Sequence, residues 1–340
     1  MKIVVFEHFT SLAPGAAGSG PRAEGAAMRD AVATDLRRLP GVSVDVVERR
    51  RDFPGALRRA DAALVIAPEE DGILEGLARR VVREGRLLLG PAPEAVRLMA
   101  DKLAAARCLE AAGVRTPRTE AVRFGTARQR LGARALPFVI KPRDGCGCRG
   151  VVLVRRRVEI AGAIRAVRRA TRRADFLVQD HVAGDSVSVS VIASAGLLTL
   201  GVNRQRIRSG SLPAYEGGDT SYPHRLAPQA LQTARAAIVA VAAACPGMLG
   251  YAGVDLVLGD GRATVLEINP RLTTSYVGLR HTFEANLAGL IVAAALGRPL
   301  PARLVASGRC RFRPDGRILG TTENEQAWPT FAAGTSAASI

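Results

Sequence analysis

Lysine is almost missing from this chain: only Lys2, Lys102 and Lys141 stand among 48 basic side chains, and the rest are arginine. Aromatic residues are scarce as well, at 4%. That leaves few platforms for stacking bases and weakens the nucleic-acid reading that a net charge of +17 invites. The arginines fall in short repeats such as Arg79-Arg80, Arg168-Arg169 and Arg172-Arg173, which suit solvated helical faces. No nucleic-acid partner is therefore expected. Five cysteines, an odd number scattered along a long chain, do not make a disulfide framework. Cys146-Gly147-Cys148 is not a zinc spacing, and the four histidines show no H-x-x-H or H-E-x-x-H pattern. No segment reaches the ~18 to 20 apolar residues of a membrane span. The opening MKIVVFEHFT meets Glu7 and His8 too soon for a signal peptide. A cytoplasmic protein without a membrane partner is the expectation.

What is present begins with size: 340 residues suggest two or three domains. The first hundred or so residues alternate strand-like runs (3–6, 42–47, 60–68, 86–91) with helical patterns (23–39, 54–59, 70–84), predicting a parallel sheet covered on both faces. This reads as a Rossmann-like lobe, although no G-x-G-x-x-G follows the first strand. A helical pattern runs over 93–113 and ends at Gly113. Denser, alternating strand runs follow at 138–142, 151–154, 176–180, 187–193, 198–207, 254–260 and 263–270, with helices at 158–173, 227–244 and 282–296. That pattern predicts an α+β region of mainly antiparallel sheet, with a turn at Asp260-Gly261. The expected domains are 1–95, 96–180 and 181–322, followed by a flexible tail over 323–340.

Three stretches carry chemistry. In FVIKPRDGCGCRG (138–150), Lys141 closes an apolar strand, where its charge is costly unless an anion meets it. Gly145, Gly147 and Gly150 then let the backbone turn with its N–H groups inward, a phosphate-binding arrangement that does not match a P-loop. A hairpin loop beside a snorkelling lysine fits the same residues. Second, Glu267 and Asn269 share one face of a strand, and the neighbouring strand can bring Asp255 beside them. Two carboxylates and an amide oxygen suit Mg²⁺; a hydrogen-bonded buried network is the alternative. Arg271 follows directly and could clamp a phosphoryl group. Third, a strand–linker–strand over 176–191 would make a hinge whose main-chain groups can meet an adenine edge.

The order Lys102, Lys141 with its glycine loop, hinge, Asp255, then Glu267-x-Asn269-Pro-Arg271 resembles the ATP-grasp superfamily over residues 93–300. The resemblance implies an ATP-grasp fold, α/β and α+β, behind an N-terminal Rossmann-like pre-ATP-grasp domain. It implies ATP and Mg²⁺ as cofactors, with Mn²⁺ as an allowed substitute. Lys102 and Lys141 would contact phosphates under a cover loop containing Asp144, Gly145, Gly147 and Gly150. Gln179, Asp180, His181 and Val182 would meet adenine, with Asp185 near the ribose; Asp255, Glu267 and Asn269 would hold metal; Arg271, with Lys141, would serve catalysis. FEHFT (6–10), AEGAAMRDAVATDL (23–36), NRQRI (203–207), EGGDTSYPH (216–224), GYAGVDLVL (250–258) and EINPRLTTSYVGLR (267–280) are similar to the tyramine–L-glutamate ligases of methanofuran- and methylofuran-type cofactor synthesis. That implies L-glutamate and tyramine as small-molecule substrates, the γ-carboxylate being joined to the amine through an acyl phosphate. Asn203, Arg204, Glu216, Thr273, Thr274, Ser275 and Tyr276 are the expected substrate contacts. Cys146 and Cys148 depart from the small residues expected in that loop and read as space-fillers. The rival readings are an ATP-grasp ligase for another amine and an inactive nucleotide-binding regulator. A homodimer is compatible with the sequence, which does not reveal oligomeric state.

Overall fold

Short apolar runs separated by amphipathic helices build a parallel four-stranded sheet at the N-terminus. Its elements are β1 (Lys2–Glu7), α1 (His8–Ser11), α2 (Ser19–Arg37), β2 (Ser43–Val47), α3 (Phe53–Arg58), β3 (Ala62–Ile66), α4 (Ile73–Arg83) and β4 (Leu87–Leu88). The strand order is β2-β1-β3-β4. Alternating residues of β1 feed different cores: Ile3 and Val5 pack with Met28, Val32 and Leu36 of α2, whereas Val4 and Phe6 pack with Phe53, Leu57 and Leu77. The structure, a computed structural model, describes residues 1–13, 15, 18–208 and 213–323. No helix among them is long and apolar enough to cross a membrane.

Two helices, α5 (Pro93–Ala100) and α6 (Lys102–Ala111), stand where one continuous helix is expected. The break falls at Asp101, whose backbone leaves the helical region (φ −87°, ψ 96°) and whose carboxylate accepts from Leu103 N and Ala104 N as the N-cap of α6. A small antiparallel sheet follows, built from β5 (Thr119–Arg123), α7 (Ala127–Gly132), β6 (Phe138–Lys141), β7 (Val152–Val154), α8 (Ile160–Ala170) and β8 (Asp175–Asp180), in the strand order β5-β8-β6-β7.

The largest sheet has seven antiparallel strands. It comprises β9 (Asp185–Ala193), β10 (Leu197–Arg208), β11 (Ala214–Asp219), α9 (Ala227–Ala244), β12 (Gly250–Gly259), β13 (Arg262–Asn269), α10 (Ser275–Leu279), α11 (Leu287–Ala295), β14 (Gly308–Phe312) and β15 (Ile318–Glu323), ordered β13-β12-β9-β10-β11-β14-β15. Asp260 and Gly261, both at positive φ, make the turn between β12 and β13. The helix expected over 282–296 starts only at Leu287, with Asn286 as its N-cap. The flexible tail expected from residue 323 lies outside the described residues apart from Glu323, which ends β15.

The N-terminal unit is not a detachable bead. Tyr276, Leu279, Leu287 and Ile291 join Val32, Leu36 and Ile66 in one core. Asp35 on α2 accepts from Tyr276 Oη (2.8 Å), Arg280 Nε (2.9 Å) and Arg280 Nη2 (2.5 Å), with side-chain exposures of only 6% for Asp35 and 15% for Arg280. Asp35→Ala would leave a buried cation and phenol without their acceptor. The expected cost is about 3 kcal/mol, read as a lower denaturant midpoint; a loss below about 0.5 kcal/mol would show that the tie is not structural.

Candidate active site

A cleft of about 1310 Å³, counting space open to solvent, lies between the two antiparallel sheets, with Glu24 of α2 reaching it from the N-terminal unit. Its first wall is made by the glycine loop after β6 and by the start of α6. The break at Asp101 lets Lys102 leave the helix line and reach this wall: its N–H donates to Arg143 O, and its Nζ donates to Gly145 O at 2.6 Å. Arg143, two residues past Lys141, fixes the junction by gripping the Asp101 carboxylate with Nε and Nη2 (2.7 and 2.6 Å) and Asp175 with Nη1. Lys141 is 5% exposed, and its ammonium is pushed down to about 8, chiefly by burial, with Glu267 opposing and Lys102 adding to the fall. The loop backbone turns through positive φ at Gly145, Gly147, Cys148 and Gly150.

The opposite wall is acidic. Asp255 on β12 and Glu267 on β13 are direct register partners, next to a bulge between Asp255 and Leu256. Burial and the facing Glu267 charge raise the Asp255 carboxyl well above its ordinary range. Burial would raise Glu267 too, but Lys102, 3.5 Å from it, and Lys141 hold it below the usual value. Gln205 Nε2 and Asn269 Nδ2 donate to the two oxygens of Asp255, each at 3.0 Å. Arg271, beyond the strand end, is gripped by Glu69 (Nε–Oε1 2.8 Å, Nη2–Oε2 3.4 Å), a 4%-exposed carboxylate from the loop before α4. The same loop holds the glycine loop from above: Glu70 pairs with Arg149 at 2.5 Å, and Asp71 N–H donates to Asp144.

Two lysines and a glycine loop facing a carboxylate pair, with the walls contributed by an antiparallel small lobe and a larger antiparallel sheet, match a known architecture. The ATP-grasp domain family matches residues 99–275, and the pre ATP-grasp 3 domain family matches residues 27–96. The chain belongs to the ATP-grasp family. A protein named tyramine–L-glutamate ligase from Methanocaldococcus fervens is 29% identical over 266 residues, which span 76% of this chain and 77% of that one. Another of that name, from Methanocaldococcus jannaschii, is 27% identical over 232 residues, spanning 68% of this chain but only 62% of the relative. Among solved structures, an ATP-grasp superfamily protein from Archaeoglobus fulgidus superposes with a TM-score of 0.69 at 22% identity, covering 92% of each chain.

Within this ATP-grasp cleft the structure gathers Lys102, Lys141, Asp144, Gly145, Gly147, Gln179, Asp180, Val182, Asp255, Glu267, Asn269, Arg271, Thr273, Thr274 and Ser275. Other expected residues lie elsewhere. Gly150 is a packing position, since a Cβ there would come within 2.4 Å of Ala170 Cβ on α8. His181 does not line the cleft. Asp185 turns away to accept from Tyr222 Oη at 3.0 Å, and its neighbour Ser186 lines the cleft in its place. On β10 the alternation sends Gln205 and Ile207 inward, so Arg204 lies on the far face over the Tyr222 ring, 5.2 Å from its centroid. Asn203 is buried and donates to Ser190 Oγ rather than facing the cleft. Glu216 is exposed and pairs with Arg208. Tyr276 is 0% exposed, its hydroxyl committed to Asp35.

Sequence reasoning missed Glu24, Glu69, Gln205 and Tyr215, all of which line the cleft or grip a residue that does. Glu24 and Glu69 come from the N-terminal unit, and only a long-range contact connects them to the rest. The alternation of NRQRI did carry a signal for Gln205, because it shares a strand face with Asn203.

Cys146 and Cys148 line the cleft, and burial pushes both thiols up to about 12. At pH 8 the thiolate fraction is then on the order of 10⁻⁴, against roughly a quarter for an unperturbed thiol near 8.5. Alkylation of both by iodoacetamide at pH 8 should run at least 100-fold slower than that of a free cysteine and gain about tenfold per pH unit up to pH 11. Peptide mapping by mass reads this site by site. Rapid labelling at pH 7 would contradict the neutral state of these half-buried thiols.

Proposed function

We propose that the chain is an ATP-dependent carboxylate–amine ligase that joins the γ-carboxylate of L-glutamate to tyramine, releasing ADP and phosphate, as methylofuran-type cofactor synthesis requires. The observation that carries the reaction class is the meeting of Lys102, Lys141 and the glycine loop with Asp255, Glu267 and Arg271 in one cleft of an ATP-grasp chain. The likeness to proteins named tyramine–L-glutamate ligase supports the choice of substrates.

The donor set suits a hard divalent cation. Two half-buried carboxylates face each other, and Asn269, while giving its amide N–H to Asp255, accepts no hydrogen bond at Oδ1 among the described residues. Asp255, Glu267 and Asn269 would hold Mg²⁺, or Mn²⁺ in its place; when bound, the ion would neutralise charge on the β- and γ-phosphates. The chain's own residues do the rest. Lys102 and Lys141 bring two ammonium groups to the phosphate oxygens, and the loop over 144–149 excludes water. Gln179 lines the cleft while its amide is held by Thr119 Oγ1 at 2.8 Å, which orients it toward the base. A carboxylate oxygen of the substrate attacks the γ-phosphorus; the new O–P bond forms as the bond to the bridging oxygen breaks, its electron pair leaving with ADP. The amine, having lost one proton, then attacks the acyl carbon. Phosphate departs with the C–O electron pair and the nitrogen sheds its second proton. Arg271, oriented by Glu69, would stabilise the acyl-phosphate oxygens, a contribution of roughly 3 kcal/mol for a preorganised donor of this kind.

ADP release should require glutamate and tyramine together, and the product mass should equal their sum less one water. Lys141→Met should cut turnover by 10²-fold or more. Treatment with EDTA should abolish turnover, and added Mg²⁺ or Mn²⁺ should restore it. Stimulation by D-alanine or another amine in place of tyramine would overturn the substrate assignment, and no ADP release with any amine would overturn the ligase itself.

A further inference from the structure

Glu24 is the cleft carboxylate that the reaction above leaves without a task. Each other acid has its charge or lone pairs answered: Glu267 by Lys102, Asp180 by Arg134, Asp255 by Gln205 and Asn269, and Asp144 by Asp71 N–H and Thr171. Glu24 accepts a single hydroxyl, Thr274 Oγ1; its charge acts on Arg271 at a distance, but that guanidinium is gripped by Glu69, and among the described residues Glu24 makes no salt bridge. In a chain with 48 basic and 31 acidic side chains, a half-buried active-cleft carboxylate without a salt bridge of its own leaves room for a positive charge. Its position is firmly set. Glu7 caps α1 through Phe9 N and Thr10 N (3.0 and 2.6 Å), and its carboxylate presses so close to α2 that a Cβ on Gly25 would fall 2.4 Å from Glu7 Cδ. Only glycine fits there, and the next residue back, Glu24, is thereby aimed into the cleft. Thr274, which orients it, stands three residues beyond Arg271, so Glu24 serves the side of the cleft where the acyl phosphate would form.

We infer that Glu24 binds a primary ammonium group of a substrate, holding it from the N-terminal side of the cleft near Arg271. This rests on the ligase reading above and assigns one of its specificity contacts. The ammonium could belong to tyramine or be the α-ammonium of glutamate, and kinetics separates the two. Glu24→Gln keeps an acceptor for Thr274 and removes only the charge, so its melting temperature should match the wild type's.

The test compares wild type, Glu24→Gln and Glu24→Asp for the KM of tyramine, the KM of glutamate and trapping of the activated acid by hydroxylamine, a nucleophile that is uncharged at neutral pH. If the tyramine ammonium is the ligand, Glu24→Gln raises the tyramine KM about 10- to 100-fold, the range for losing a charged hydrogen bond. In that case glutamate KM and hydroxamate formation stay within twofold of wild type, and Glu24→Asp recovers part of the loss. A rise in glutamate KM together with reduced hydroxamate formation assigns the α-ammonium instead. Unchanged values of both KM overturn the inference. Wild-type protein that is silent with glutamate and tyramine overturns the substrate reading alone; the same three-way comparison on whichever amine drives ADP release then decides Glu24.

Discussion

Asp255 and Glu267 face each other across a strand pair, both half-buried, and their mutual repulsion is the constraint that the surrounding structure answers. Bringing two carboxylates together in a low-dielectric site is costly unless cations or donors stand close. Each neighbour can be read as one such answer: Lys102 on Glu267, Lys141 behind it, Gln205 and Asn269 on Asp255. The demand propagates outward. Lys102 reaches Glu267 because α5 and α6 are broken at Asp101, and that break is held by the Arg143 grip, which in turn fixes the strand end that carries Lys141. One electrostatic requirement thus accounts for a helix cap, an ion pair and the placement of both cleft lysines.

The N-terminal unit takes part in this balance. Its Glu69 holds Arg271, its Glu70 holds Arg149, and the Asp71 N–H meets Asp144, so three consecutive residues pin both the strand-end arginine and the glycine loop. With the Asp35–Tyr276–Arg280 tie and the shared apolar core on the far side, the unit is a third wall of the cleft. Motion of the glycine loop would have to break the Glu70–Arg149 and Asp71–Asp144 contacts, both of which sit near the surface and are individually weak.

The parts of the molecule that were legible in sequence are those governed by local periodicity. Strand runs such as VSVSVIA and ATVLEIN, the Asp260-Gly261 turn and the parallel N-terminal sheet all follow from spacing two or spacing 3.6. Lys141, Asp255, Glu267 and Asn269 stood out because charged or polar residues interrupt or end apolar strands. What escaped was set by long-range contacts. Periodicity alone runs α5 and α6 together, since the break is enforced by Arg143, 42 residues away from Asp101. Arg204 and Gln205 are adjacent, and which of them faces the cleft depends on which face of β10 the sheet turns inward. Tyr276 looks like a pocket hydroxyl in LTTSY until Asp35, from a helix 241 residues earlier, claims it.

The choice between lysine and arginine follows the same logic of space. Arg271 is held at two nitrogens by the two oxygens of Glu69, a forked contact that suits a planar guanidinium and that an ammonium could not reproduce. Lys102 instead places one compact charge between a backbone carbonyl at 2.6 Å and a carboxylate at 3.5 Å, with the Lys141 charge close by, and a guanidinium would need more room than those oxygens leave. Lys2 offers the contrast: it is 40% exposed and reaches Asp45 only at 4.0 Å, in surroundings where either residue would serve. A general drift toward arginine can therefore run unopposed over the solvated surface, but in the cleft it meets a limit set by the spacing between oxygens.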